Sequence, residues 1–348
     1  MSAEALQLAI RRLAAGESLS AGETVAAFDL IMRGEASAAQ VAAVLVGLRV
    51  KGETVAEVSG GALALRNAMI TLPASDPDSL VDTCGTGGGR IQTFNISTAA
   101  ALVAAGAGVR VAKHGNRSFT SKCGSADVLE ALGVRIDVPL VVMRRTLETA
   151  GIVFMFAPHM HPAMKHVGPV RRELGIPTIM NILGPLANPA RAGRQVVGVS
   201  EAARMPMLAG ALAMLGSVHA LVVHGEPGLD EVSPLGTTRV MEVKRGSVTE
   251  WTIDPRQYGM NADDAEGLAG GSPEANAAIV TQLLAGKGRK GGAARFAVLL
   301  NAAAAIYVSG SVDSFGDATG AAERSLESGA AEEALVQLRK GSSGDLVG

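Results

Sequence analysis

Cysteine, aromatic residues and charge are all scarce in this chain. Two cysteines, Cys84 and Cys123, among 348 residues are too few for the disulfide framework of a secreted domain, and neither stands at a zinc-ligand spacing. Two free thiols in a reducing compartment are expected. Aromatics make up 3% and charged residues 18%, while Ala and Gly abound, a composition suited to close packing of helices on a sheet rather than to disorder. With a net charge of −2 there is no global basic surface, so nucleic acid is not an expected partner. The first residues carry an acid at Glu4 and no apolar run behind a basic stretch; no signal peptide is read there, and a cytoplasmic location is expected. The nearest approach to a membrane span, Met205 to Val223, is interrupted by Pro206, Gly216, Ser217 and His219. It predicts a buried helix followed by a buried strand, and no membrane association.

What is present divides into two patterns. Residues 1–72 carry helix signals and almost no strand signals, with Ser20 and Ser37 as caps, Gly16, Gly34 and Gly52 as stops, and an apolar stripe at Val41, Val44, Leu45 and Leu48. A turn-rich linker, Leu72 to Ser79, separates this helical domain from residues 80–340, where strands and helices alternate. Strands are predicted at 80–83, 109–112, 134–138, 152–156, 195–199 and 220–224, with helices at 99–105, 126–132 and 139–150. A hairpin is predicted from 237–243 and 248–253. This is an α/β fold with a mostly parallel central sheet and a small N-terminal helical domain. The alternation lapses between 161 and 190, a stretch expected to join the helical domain, and residues 341–348 read as a tail.

Four constellations carry chemistry. Asp82-Thr-Cys-Gly-Thr-Gly-Gly-Gly-Arg90 and Thr93-Phe-Asn-Ile-Ser-Thr98 place glycines between a strand and a helix start, where backbone N–H groups and the helix dipole can hold a phosphate. Asn95, Ser97 and Thr98 add donors, and the Ser97 hydroxyl can ligate Mg²⁺ on a pyrophosphate. A tight glycine turn before a capped core helix is the plainer reading of the same residues. Lys113-His-Gly-Asn-Arg117 and Ser118 to Ser125 follow a second strand; Lys113 and Arg117 supply charge, and Ser118, Thr120, Ser121 and Ser125 supply donors. Ser125 can equally be a helix N-cap. Asp230-Glu231, beyond a third strand, is a pair of hard oxygen ligands suited to Mg²⁺, although such a pair is usually a solvated loop. Arg171 has the geometry to clamp a planar carboxylate, or is simply a surface arginine on a helix. His161 and His166 lack a third ligand for zinc.

Taken in order, Gly-Thr-Gly-Gly, Thr-Phe-Asn-Ile-Ser-Thr, Lys-His-Gly-Asn-Arg, His-Pro-Ala-Met, Leu-Gly-Pro-Leu-x-Asn-Pro and Gly-Leu-Asp-Glu resemble the anthranilate phosphoribosyltransferase family. The likeness continues at Leu268-Ala-Gly-Gly-Ser-Pro-Glu-Ala-Asn276 and Asn301-Ala-Ala-Ala-Ala305. It implies transfer of the phosphoribosyl group of 5-phosphoribosyl-1-pyrophosphate to anthranilate in tryptophan biosynthesis, by a homodimer joined through the helical domain. It further implies that Gly85, Gly88, Gly89, Thr93, Asn95, Ile96, Ser97, Thr98, Lys113, Asn116, Arg117, Ser121 and Ser125 hold phosphoribosyl pyrophosphate. Gly85, Asn116 and Arg171 would face anthranilate. Two Mg²⁺ ions are implied, one at Ser97 and one at Asp230 and Glu231, with no catalytic residue beyond binding and electrostatic groups. One departure is specific: Gly89-Arg90 stands where the family usually has Asp-Gly, and Arg90 is expected to replace part of the metal's charge on the pyrophosphate.

Two rivals share features with this reading. Pyrimidine nucleoside phosphorylases have the same layout, but their phosphate loop normally reads Lys-His-Ser-Thr-Gly-Gly, unlike Lys113 to Arg117. A nucleic-acid-binding relative would carry a basic stripe, which a charge of −2 does not favour.

Overall fold

The computed structural model describes residues 3–89, 91–118, 122–287 and 291–344. Four helices come first: Ala3–Ala14, Ala21–Met32, Ala38–Lys51 and Val55–Ala68. Ser20 and Ser37 cap the second and third, and Glu23 and Gln40 return the bond to the cap backbone; Thr54 and Glu57 do the same for the fourth. These reciprocal boxes satisfy N–H groups that a helix start leaves open, and they are local enough to be visible in sequence.

The rest is built on a seven-stranded sheet of β1 (Val81–Gly85), β2 (Val111–Gly115), β3 (Ile152–Phe156), β4 (Arg194–Gly198), β5 (His219–Gly225), β6 (Thr238–Lys244) and β7 (Ser247–Ile253). The order is β3-β2-β1-β4-β5-β6-β7. Strands β1 to β5 are parallel and β6 and β7 antiparallel, as the alternation predicts. The winding direction reverses between β1 and β4, so the carboxyl ends of the central strands open the crevice in which such sheets take ligands.

One sheet face is covered by the helices Ile96–Gly106, Ala293–Ser309, Phe315–Glu327 and Ala330–Ser343, whose alanines let the backbones approach. The other packs on Met205–Met214 and on the helical domain. Val167, Val170, Ile179, Ile182 and Leu183, from the stretch where alternation lapses, share a buried cluster with Phe28, Val44, Leu48 and Val58 of the first helices.

Two expectations are corrected. Val134, Ile136 and Val138 alternate with exposed Arg135 and Asp137 but form no strand. Their apolar face is buried without a ladder partner, and the Arg135 N–H donates instead to Ser342 Oγ at 3.0 Å. Ser342 belongs to the second correction: the final helix runs through Ser343, with Leu338, Gly341 and Ser342 buried, so the chain is still helical past the point where a tail is read. A β-carbon at Gly341 would lie 2.5 Å from Thr146 Cγ2. Glycine there reflects close packing and not a loose end.

Candidate active site

β1 runs into the glycine loop. Gly87 and Gly88 have φ of +69° and +79°, left-handed values that L side chains resist. The turn aims the Gly87 N–H at Asp230, whose Oδ2 accepts it at 2.9 Å. Gly85 is needed for the same approach, since a β-carbon there would lie 2.7 Å from Asp230 Oδ2. Arg90 lies outside the described residues.

The helix Ile96–Gly106 follows at once. Ser97 faces the site, its Oγ 3.5 Å from Lys113 Nζ. Ile96 and Thr98 are buried, and the Thr98 hydroxyl, which the sequence offered as a donor, points into the core without a partner among the described residues. Asn95 works as a tie. Its Oδ1 accepts from Asn276 Nδ2 at 2.9 Å and from Cys123 Sγ at 3.2 Å, and its Nδ2 donates to the Cys123 carbonyl at 3.2 Å. Thr93 pairs in an isolated bridge with Ala269. The segment 268–276 thus braces the Thr93–Asn95 stretch after the glycine loop, and Asn276 gains a role that its place in the family-like motif alone did not disclose.

β2 delivers the cationic loop. Lys113 is 3% exposed; its Nζ donates to the Thr83 carbonyl at 2.6 Å and lies 3.3 Å from Thr83 Oγ1. Burial lowers its pKa, while Asp82 pulls it back up. The Asn116 carbonyl accepts from Ser125 Oγ at 3.3 Å. Gly124, not Ser125, occupies the N-cap position of Ser125–Ala131. Arg117 forms ion pairs with Asp127 at 2.8 Å and Glu130 at 2.5 Å. Thr120 and Ser121 lie outside the described residues.

Beyond β5 come Asp230 and Glu231. Burial pushes both carboxyls up, Glu231 to about 8, with Asp230 raising it further and Lys113 opposing. Two half-buried carboxylates that repel each other, beside the Ser97 hydroxyl, form a hard oxygen set lacking sufficient positive charge. That chemistry fits Mg²⁺, which needs few protein ligands because it keeps waters and takes phosphate oxygens. Among the described residues no group of three or more His, Cys, Asp or Glu side chains could hold a metal, so zinc-type ligation finds no support there.

A second set of residues lies on the opposite face of β1 and β2. The His114 and His161 rings sit 4.9 Å apart at 51°. Burial lowers His114 to about 3 and His161 to about 4, so both are neutral at physiological pH. His114 Nε2 and both His161 nitrogens are buried and make no hydrogen bond of good geometry among the described residues, although the Gly184 and Ala187 backbones lie beside the two rings. Arg171, on the helix Gly168–Leu174, is half-buried, and desolvation lowers its pKa. No described residue pairs with its guanidinium, so a positive charge stands ready for an anionic partner. The pairing of His114 with His161 was not legible, because only the fold brings the two together. Neither Cys84 nor Cys123 is in a disulfide.

This geometry agrees with what the chain resembles. Residues 77–332 match the glycosyl transferase family a/b domain and residues 7–69 its helical bundle domain. Anthranilate phosphoribosyltransferases from Anaeromyxobacter dehalogenans and Rubrobacter xylanophilus are 52% and 51% identical to it over 333 residues. Each alignment covers 96% of this chain, and 97% and 96% of the respective relatives. The crystal structure of the Thermus thermophilus enzyme superposes with a TM-score of 0.90 at 41% identity, covering 96% of this chain and 99% of that one. The Saccharomyces cerevisiae enzyme in complex with PRPP and Mg gives 0.89 at 28% identity, with 99% of both chains covered. With such likeness along nearly its whole length, the chain belongs to the anthranilate phosphoribosyltransferase family of glycosyl transferases.

Proposed function

We propose that this site transfers the 5-phosphoribosyl group of phosphoribosyl pyrophosphate to the amine of anthranilate and releases pyrophosphate, as in tryptophan biosynthesis. The observation that carries the reading is the convergence of three strand ends on one crevice: a glycine loop, a buried Lys113 and the half-buried pair Asp230 and Glu231. Gly85, Gly88, Gly89, Thr93 and Asn95 shape the phosphate cradle, with Ser97, Lys113 and the loop from Asn116 to Ser125 around it. Arg117, held by Asp127 and Glu130, is left out of the phosphate contacts.

The reaction breaks the bond from ribose C1 to the pyrophosphate oxygen and forms a bond from C1 to the amine nitrogen, which then sheds a proton. An aromatic amine is neutral near pH 7, so no strong base has to prepare it. The protein's contribution is positioning and fixed charge. Ser97, Asp230 and Glu231 would hold two Mg²⁺ ions, which when bound offset the charge on the departing diphosphate. Lys113 adds positive charge to the same oxygens. On the acceptor side, Gly85, Asn116 and Arg171 meet anthranilate, the guanidinium of Arg171 taking the carboxylate in a paired hydrogen bond. The neutral His114 and His161 rings add no charge beside that carboxylate.

The structure of a Saccharomyces cerevisiae relative with 4-fluoroanthranilate, at TM-score 0.87 and 26% identity, supports the acceptor assignment. Exposed Leu8, Val50 and Leu63 on the helical domain support a homodimer formed through it. No described helix is long and apolar enough to cross a membrane. The test is the loss of anthranilate fluorescence on adding phosphoribosyl pyrophosphate and Mg²⁺, together with rescue of a tryptophan auxotroph lacking this step. Phosphate-dependent cleavage of uridine or thymidine, with no anthranilate turnover, would sink the reading in favour of a nucleoside phosphorylase.

A further inference from the structure

In a regular parallel ladder, the rung after Val81 and Val111 would pair the Thr83 N–H with the Ala112 carbonyl and the His114 N–H with the Thr83 carbonyl. Here the registered pairing of β1 with β2 stops at Val81 and Val111, whereas β1 with β4 and β2 with β3 each continue for the full strand. Polar backbone groups in a protein interior must find partners, and all four find side chains, the Thr83 N–H going to the Asp82 carboxylate. Asp82 Oδ1 accepts the His114 N–H at 3.2 Å. Asn188 Nδ2 donates to the Ala112 carbonyl at 2.8 Å and to Asp82 Oδ2 at 2.8 Å. Lys113 Nζ donates to the Thr83 carbonyl at 2.6 Å.

The replacement is built, not incidental. Asp82 is 0% exposed and Asn188 2%, and burial raises the Asp82 carboxyl while Lys113 and the Asn188 amide stabilise its charge. Side chains alternate across a strand, so Asp82 and Lys113 close the same rung from opposite faces of the sheet. Lys113 faces Thr83 and Ser97 on the phosphoribosyl side. Asp82 faces Asn188 on the side of His114 and His161. Asn188 in turn is fixed by its own chain, its Oδ1 accepting the Ala190 N–H at 2.9 Å. The stretch carrying the acceptor-side residues is therefore bolted to the strand ends that carry both substrate loops.

We infer that Asp82 and Asn188 are positioning residues for phosphoribosyl transfer: by filling the missing rung they fix the spacing of the two loops after β1 and β2 and tie the acceptor segment to them. The inference rests on the assignment of Lys113 and the glycine loop to phosphoribosyl pyrophosphate. Neither residue needs to touch a substrate. Their effect passes through the His114 backbone, the Lys113 ammonium and the segment around Asn188.

The test uses two single substitutions and their combination. In Asp82→Asn the introduced amide must face either the Asn188 amide or the His114 N–H, donor against donor. In Asn188→Asp two carboxylates meet. In the double variant Asp82→Asn/Asn188→Asp, the amide at position 82 can accept from the His114 N–H and donate to the carboxylate at position 188. That carboxylate can still accept the Ala190 N–H, so only the Ala112 carbonyl loses its donor.

Each single variant, assayed as folded protein well below its melting temperature, is expected to lose about 10- to 100-fold in kcat/KM, and the double variant is expected to recover most of that loss. Singles that melt earlier but keep parental kcat and both KM values would show a purely structural role and overturn the inference. So would a double variant no better than the worse single, a comparison that holds even where a single variant fails to fold. Lys113→Ala, measured alongside, isolates the underlying assignment. Unchanged binding of phosphoribosyl pyrophosphate by that variant would remove the basis of the inference, whereas normal behaviour of the Asp82 and Asn188 variants with a defective Lys113→Ala would sink the inference alone.

Discussion

Gly198, the last residue of β4, and Asp230 meet so closely that a β-carbon on Gly198 would overlap the Asp230 carbonyl oxygen. The acidic loop can descend onto the strand ends only because β4 finishes without a side chain. Gly198→Ala should therefore push the Asp230 backbone outward, at a cost of about 1–3 kcal/mol in stability. The functional loss should exceed what that cost explains, with a raised Mg²⁺ requirement. Titration of activity against Mg²⁺, paired with a thermal melt, checks this; an unchanged Mg²⁺ midpoint in folded Gly198→Ala would show that the close approach does not govern the carboxylates.

Glu231 makes a more direct case. Glu231 is half-buried, and desolvation beside Asp230 lifts its carboxyl to about 8, so proton and metal compete for it. Apparent Mg²⁺ affinity should rise as pH increases toward 8 and then level off. Glu231→Gln removes the competition together with a ligand. It should bind Mg²⁺ with phosphoribosyl pyrophosphate more weakly and lose most of the pH dependence, which isothermal titration at pH 6 and pH 8 would reveal. A parental slope in the variant would move the titration to another group.

The buried imidazoles predict a stability profile. His114 and His161 stay neutral down to about 3 and about 4, while in the unfolded chain histidine titrates near 6.5. As pH falls below about 6.5 the unfolded state gains protons that the fold refuses, so stability drops by up to about 1.4 kcal/mol per pH unit per histidine. Above that pH their contribution is complete. Glu231, with a raised carboxyl, acts in the opposite sense, losing stability as pH rises from the ordinary carboxylate range toward 8. Comparing the parent with His114→Asn/His161→Asn by urea denaturation at pH 5 and pH 7 isolates the histidines: the parent should lose more stability on acidification. Equal losses would contradict their neutrality.

Much of this architecture is local and for that reason legible. Ser20 with Glu23 and Ser37 with Gln40 announce helix starts over three residues, and the glycines between β1 and Asn95 announce a backbone turned toward an anion. Legibility fails where one pattern serves two purposes or where partners are far apart in sequence. Val134 to Val138 alternates like a strand because it lies under a helix rather than in a ladder. Arg117 reads as a phosphate ligand, and its pairing with Asp127 and Glu130, on the following helix, is visible only in the fold. Asp82 and Asn188 both sit inside motifs singled out in the sequence, but their bond spans 106 positions, and only the missing rung explains why an acid and an amide belong there.

Arg171 offers the sharpest separation of substrates. Its guanidinium is half-buried, its pKa is lowered by desolvation alone, and no described residue takes its charge. An unpaired buried cation is costly unless a ligand completes it, which is the logic of a carboxylate pocket. Arg171→Ala should raise the KM for anthranilate by about 10- to 100-fold, the scale of a charge-assisted bond, while leaving the KM for phosphoribosyl pyrophosphate within about twofold. Arg171→Lys keeps the charge but loses the fork, and should recover only part of the affinity. Removal of a partnerless charge should also leave the free protein no less stable. Aniline, which lacks the carboxylate, supplies the control: with aniline as acceptor, parent and Arg171→Ala should react at similar rates. Steady-state kinetics with both acceptors decides the matter, since equal defects toward anthranilate and aniline would place Arg171 in the fold and not at the carboxylate.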